Sequence, residues 1–125
     1  MQKSLLARNT ACNAIVALVN TGSTLSAGQL RIYTSDSTLI SYLPFSNPAF
    51  LTAVDGTSVS SPISDATALI DATASTFSVI NRDSTVVWTG TVTGLTGHGD
   101  LKLNAISIPK DTTVSISQAT YIVPA

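Results

Sequence analysis

The period of the apolar residues changes once along this chain, at Gly22, and that change sets the fold class. Before it, Leu5, Cys12, Ile15, Val16 and Val19 recur at spacings of three, four and seven, which places them on one stripe of an α-helix. Lys3, Arg8, Asn9 and Asn13 fall off the stripe. Asn20-Thr21-Gly22 supplies a stop, with Gly22 suited to a left-handed cap. The spacing predicts a helix over about 3–20. Its stripe can pack on the domain's own sheet, with part of it free to dock on a neighbouring subunit.

Beyond Gly22 the apolar residues alternate with polar ones, the period of a strand with one buried face. Leu30 to Tyr33 alternates, and Leu39 to Phe45 follows, ended by Pro44 and an Asn47-Pro48 turn. Phe50 to Val54 is short and runs into Asp55-Gly56, a strong hairpin signal. Thr57 to Ile63 is a further strand, limited by Pro62 to an edge or an end. Asp65 to Ala74 could hold a helical turn, but its position suggests an extended connection. Thr76 to Ile80, a four-residue polar turn at Asn81–Ser84 and Thr85 to Val92 form the best hairpin.

Leu95 to Gly99 reads as a loop, Leu101 to Ile108 as strand with a bulge near Ala105, and Thr112 to Gln118 as a cleanly alternating strand. Tyr121 to Val123 ends the chain as a strand or projecting tail. About eight short strands without intervening helices exclude a parallel α/β sheet. The expected fold is mainly β, an antiparallel two-sheet sandwich of jelly-roll type with one N-terminal α-helix, and a barrel is second choice. The 125 residues make a single domain, 1–125, with the helix at about 3–20 and the sandwich at about 28–123. Expected core positions are Ile32, Phe77, Val79, Val86, Trp88, Leu101, Leu103, Val114 and Ile116.

Charge is scarce. Charged residues are 10% of the chain, against roughly 25% in an average soluble domain. There is no Glu, and 17 Ser and 18 Thr take the place of charge. Thr favours strands and keeps an outer sheet face wet. A net charge of −1 with dispersed Lys and Arg argues against nucleic acid. No apolar run approaches the ~20 residues of a membrane span. The N-terminal segment is not read as a secretory or lipoprotein signal, because Arg8, Asn9 and Asn13 interrupt its apolar part. The single Cys12 makes no disulfide within the chain and implies no oxidising compartment.

No reactive constellation is legible. His98, the only histidine, lies in Gly97-His98-Gly99, too mobile a setting for a catalytic base, and no Gly-x-Ser-x-Gly elbow is present. A zinc site needs three or four ligands, and the chain has one Cys and one His, 86 positions apart. Calcium and phosphate loops are absent from the sequence. Tyr33, Tyr42, Trp88 and Tyr121 could form a carbohydrate platform, although aromatics on strands are more often core. The reading is of a non-enzymatic protein with no metal, no cofactor and no catalytic residue.

The order of segments resembles a group of small tailed-phage virion proteins. The resemblance rests on the N-terminal helix, then Gly28-Gln29-Leu30-Arg31-Ile32-Tyr33-Thr34, a Leu-rich strand leading to Asn47-Pro48-Ala49-Phe50, Gly99-Asp100-Leu101-Lys102-Leu103, and Thr113 to Ser117. It covers most of the chain. It implies a bacteriophage capsid decoration, or cement, protein made in the host cytoplasm and carried on the outer capsid surface of the virion. Its partners would be the major capsid protein and copies of itself, as a dimer or trimer, with no nucleic acid and no membrane. The candidate interface residues are Leu5 and Leu6 at the helix start and Tyr121, Ile122 and Val123 in the apolar tail. A tail, connector or fibre component, or a β-sandwich module for a carbohydrate or other ligand, remains the alternative.

Overall fold

The computed structural model describes residues 2–124, so Met1 and the tail residue Ala125 lie outside the described residues. Helix α1 spans Leu5–Ala17 and is capped by Ser4, whose Oγ accepts the N–H of Ala7 at 3.1 Å. A 3₁₀ turn, Leu18–Asn20, tightens its end. The predicted helix is thus shorter and splits into two geometries. Gly22 adopts φ 115°, two residues beyond. Cys12, Val16 and Val19 are buried as the stripe requires, but Leu5 is 50% exposed because it precedes the part of the helix that meets the body.

The strands are β1 (Gln29–Tyr33), β2 (Leu39–Pro44), β3 (Thr57–Val59), β4 (Ala66–Thr67), β5 (Ala72–Thr73), β6 (Thr76–Ile80), β7 (Val86–Gly94), β8 (Leu101–Leu103), β9 (Ser107–Ile108), β10 (Thr113–Val114) and β11 (Thr120–Ile122). The ambiguous 65–74 segment is extended and supplies β4 and β5. The runs expected at 57–63 and 112–118 pair over only a few residues, although Val114 and Ile116 are buried as their alternation predicts. The Asp55-Gly56 turn is present, with left-handed φ of 54° and 75° joining the paired Val54 and Thr57.

The main sheet has the order β2-β1-β6-β7-β8. Leu30, Val79 and Trp88 lie in one row across β1, β6 and β7, and Ile32 and Phe77 in the next. These side chains form the inner face. Two expected core residues depart from that reading. The register slips between Val79 and Ile80, so that Val79 faces Trp88 and Ile80 faces Val86. Val87 is the extra residue of a bulge, and Val86 is turned out to 53% exposure. Trp88 stays on the inner face but is only partly buried.

The pairing of β7 with β8 is parallel, Val92 to Leu101 through Gly94 to Leu103. An antiparallel reading of the sequence missed it. Such pairs usually need a crossover of a dozen or more residues. Here the short 95–100 loop doubles back over Thr93, whose Oγ1 accepts the N–H of Gly99 at 3.0 Å, while the Gly97 N–H donates to Gly94 O at 3.1 Å.

Three two-stranded ladders, β3–β11, β4–β10 and β5–β9, complete the framework. The chain leaves the main sheet after Leu103 and pairs again at β9, which accounts for the change of parity read near Ala105. The result is a mainly β protein with one helix and a curled main sheet, its core running from Cys12 and Val16 through Leu30, Leu43 and Val79 to Val123. Among the described residues no helix is long and apolar enough to cross a membrane.

Candidate assembly surface

Helix α1 holds its place through polar side chains. The segment 49–56 runs beside β3, and two of its N–H groups point to β3: Leu51 donates to Val59 O and Val54 to Thr57 O, both at 2.8 Å. Other N–H groups of the segment point away from β3 and would end a bare sheet edge. The helix meets them. Asn9, Asn13 and Asn20 accept, through Oδ1, the N–H groups of Gly56, Ala53 and Ala49 at 2.7, 2.8 and 2.8 Å. Arg8 donates to Val123 O at 3.2 Å and Asp55 O at 3.0 Å. Residues that the sequence pattern sets off the apolar stripe therefore face the body, satisfying backbone groups at its edge.

The opposite face of the helix is left with Leu6, Ala7, Thr10, Ala14, Ala17 and Leu18, all exposed and without a charge. Leu6 is 77% and Leu18 49% exposed. Surface helices of globular proteins carry their charged residues on this side. Here that side carries no charge: the guanidinium and amides turn in beside the buried Cys12, Val16 and Val19, and aliphatic groups are left outside.

The fold brings the candidate residues from the two ends of the chain together. Lys3 Nζ donates to Pro124 O at 3.3 Å, and Arg8 ties the helix to Val123, 115 residues away. The tail does not project. Tyr121 and Ile122 pair with Ser58 and Thr57 in the β3–β11 ladder, and Val123 donates its N–H to Gly56 O at 2.8 Å. Val123 is buried and Tyr121 half-buried, so of the tail residues expected at an interface only Ile122, 60% exposed, faces outward. Thr57 pairs with both Ile122 and Val54, which sets these two exposed apolar residues in one uncharged row. Val54 carried no sequence signal of this role, because its exposure depends on a pairing across the Asp55-Gly56 turn.

A second feature lies between β7 and β11. Trp88 packs on Tyr121 with ring centroids 4.6 Å apart and on Phe50 at 5.5 Å. A concavity of ≈ 530 Å³ opens beside them, with Asp100 and Thr89 on its rim. Asp100 is held in place: its Oδ2 accepts from the N–H and Oγ1 of Thr91 at 3.1 and 3.4 Å. Gly90 makes room for it, since a Cβ there would lie 2.8 Å from Oδ2 and 2.6 Å from the Phe77 ring. Tyr33 and Tyr42, from the same proposed platform, lie on other parts of the sheet and not beside this concavity.

The groups with displaced titration serve the fold. Burial pushes the Cys12 thiol up, and its Sγ donates to Tyr121 O at 3.6 Å. The N–H of Ser23, then the hydroxyl and N–H of Thr24, hold Asp83 below the usual carboxylate range. The hydroxyls of Thr34 and Thr38 do the same for Asp36. His98 is exposed on the 95–99 loop. Among the described residues no three His, Cys or Asp side chains converge as a metal site. No protein-family model matches the chain, and neither a curated protein nor a solved structure shows significant similarity to it.

Proposed function

We propose that this chain is a virion structural protein that decorates and cements the outside of a bacteriophage capsid, binding the major capsid protein and copies of itself. Its role is binding and building, not catalysis. The observation that carries the reading is the uncharged outward face of α1. A helix that turns Arg8 and three Asn inward and Leu6, Ala14 and Leu18 outward leaves an apolar strip suited to a protein partner. The row of Val54 and Ile122 adds a second uncharged patch. The scarcity of charge fits a protein that works within an assembly, since free monomers rely on charge for solubility. The three small ladders are read as the second wall of a jelly-roll-like sandwich.

The test is co-sedimentation of the purified protein with capsids of its parent phage lacking it. Saturable binding at a fixed copy number per capsid is expected, reduced by Ile122→Asp or by Leu5→Asp with Leu6→Asp. A protein that stays in the supernatant at every concentration overturns the cement reading.

A second reading, a β-sandwich module for a carbohydrate, is favoured by the half-buried Trp88 beside a positioned carboxylate. Trp88 is the only tryptophan, so its emission reports the site directly. Saturable shifts with one sugar of an array, lost in Asp100→Asn, would support it.

A further inference from the structure

We propose that the outer face of the main sheet holds a binding site for one sugar ring of a neutral glycan, with Ser78 at its floor and Tyr33 at its side. The inference rests neither on the cement reading nor on the Trp88 concavity, which belongs to the inner face.

The pleat builds the site. Leu30, Ile32, Phe77, Val79 and Trp88 point inward, so Tyr33, Thr76 and Thr91 form one outward row across β1, β6 and β7, and Ser78 and Thr89 lie in the next. These residues enclose a concavity of ≈ 460 Å³, with Ser37 of the β1–β2 turn at its rim. That volume is within the range of small-molecule sites. Serine makes the depression. Its neighbours across β6 and β7 on this face are threonines, and Ser78 lacks their methyl group.

Ser78 is also the polar group out of place. Four serines are buried. Ser41 donates to Thr67 O, Ser58 donates to Leu51 O, and Ser60 accepts the N–H of Ala119. Ser78 keeps 9% of its surface and has no hydrogen-bond partner among the described residues. No side-chain polar atom among them is both shut off from solvent and unpartnered, so the Ser78 hydroxyl opens onto the concavity. A hydroxyl so deeply set is best satisfied by a ligand that brings its own donor and acceptor.

The lining selects that ligand. It contains no charged residue. Arg31, beside Ser78 on the same face, is turned to Gln29 and Ser84. Asp36 is taken up by the hydroxyls of Thr34 and Thr38, and Asp100 by Thr91. What is left is the hydroxyls of Ser37, Thr76, Ser78 and Thr89 beside one aromatic ring. A sugar matches this set, with hydroxyls around its rim and an apolar C–H face for Tyr33. An anion would find no positive group, and a wholly apolar ligand would leave the Ser78 hydroxyl unpaired.

The experiment is a titration of the isotope-labelled full chain, followed by amide NMR. The probes are methyl glucoside, methyl galactoside and N-acetylglucosamine, with N-acetylneuraminate as the charged control. One neutral sugar should give saturable shifts at residues 33–37, 76–78 and 89–91 in the millimolar range, and the control none. Ser78→Val removes the hydroxyl, fills the floor and keeps a good strand residue. It should weaken binding about tenfold without lowering the melting temperature. Tyr33→Leu should weaken binding as well, and Tyr33→Phe, which keeps the ring, should not. No saturable shift with any of the three sugars, or binding unchanged in Ser78→Val, overturns the inference. Shifts centred on Trp88, Tyr121 and Asp100 overturn it too, by placing the sugar in the other concavity. Ser78→Val should decorate capsids as the parent does, so the cement reading stands or falls separately.

Discussion

Asn13 on the helix accepts the backbone N–H of Ala53 at 2.8 Å, and that bond joins α1 to the edge of the β3–β11 ladder. Ala53 is buried, so its N–H has no easy access to water once the amide is removed. Asn13→Ala should destabilise the protein by about 1–3 kcal/mol, the cost of an orphaned buried donor. Asn13→Asp keeps an acceptor and should recover most of the loss. Urea unfolding of the three proteins checks this.

Trp88 is wedged between Phe50 and Tyr121 and open on the side of the concavity. Full burial of such a residue would make Trp88→Ala cost about 3–5 kcal/mol, and the open side should bring the loss to about 2–3 kcal/mol. A thermal melt followed by circular dichroism measures it. No change would mean that the three rings do not pack in solution.

The tail belongs to the fold. Deleting residues 121–125 removes Tyr121 from Trp88 and the partner strand of β3, so it should lower the melting temperature by several degrees or more. Ile122→Asp alters only an exposed side chain and should leave stability within about 0.5 kcal/mol. Differential scanning calorimetry of both separates a structural tail from a projecting one.

Asp83 binds the turn after the helix to the β6–β7 hairpin, through bonds to Ser23 and Thr24. Its folded pKa lies below the ordinary 3.8. Its contribution is therefore fully present above that ordinary value and is lost as pH falls through the lower, folded value. Asp83→Asn should be less stable than the parent at pH 7, and the difference should shrink as pH falls from about 4 toward 2. A constant difference across that range would show that the charge is not what matters.

The sequence alone determined the class of structure and much of its interior. The switch of period at Gly22 separated one helix from a β body, and alternation placed Ile32, Phe77, Val79, Leu101, Leu103, Val114 and Ile116 in the core, because burial of one sheet face demands a period of two. It also located the Asp55-Gly56 and Asn81–Ser84 turns, whose chemistry is local. Tertiary structure decided what depends on partners distant in the chain. The bulge at Val87 turned Val86 outward, a register choice made between strands. The parallel β7–β8 pair came from a loop folded over Thr93. Above all, the period of the helix could mark which residues share a stripe, but not what each stripe would meet. Asn9, Asn13 and Asn20 face inward because the edge at 49–56 presents N–H groups that need acceptors, and Leu6 and Leu18 are left outward because those amides and the buried Cys12, Val16 and Val19 occupy the side toward the body.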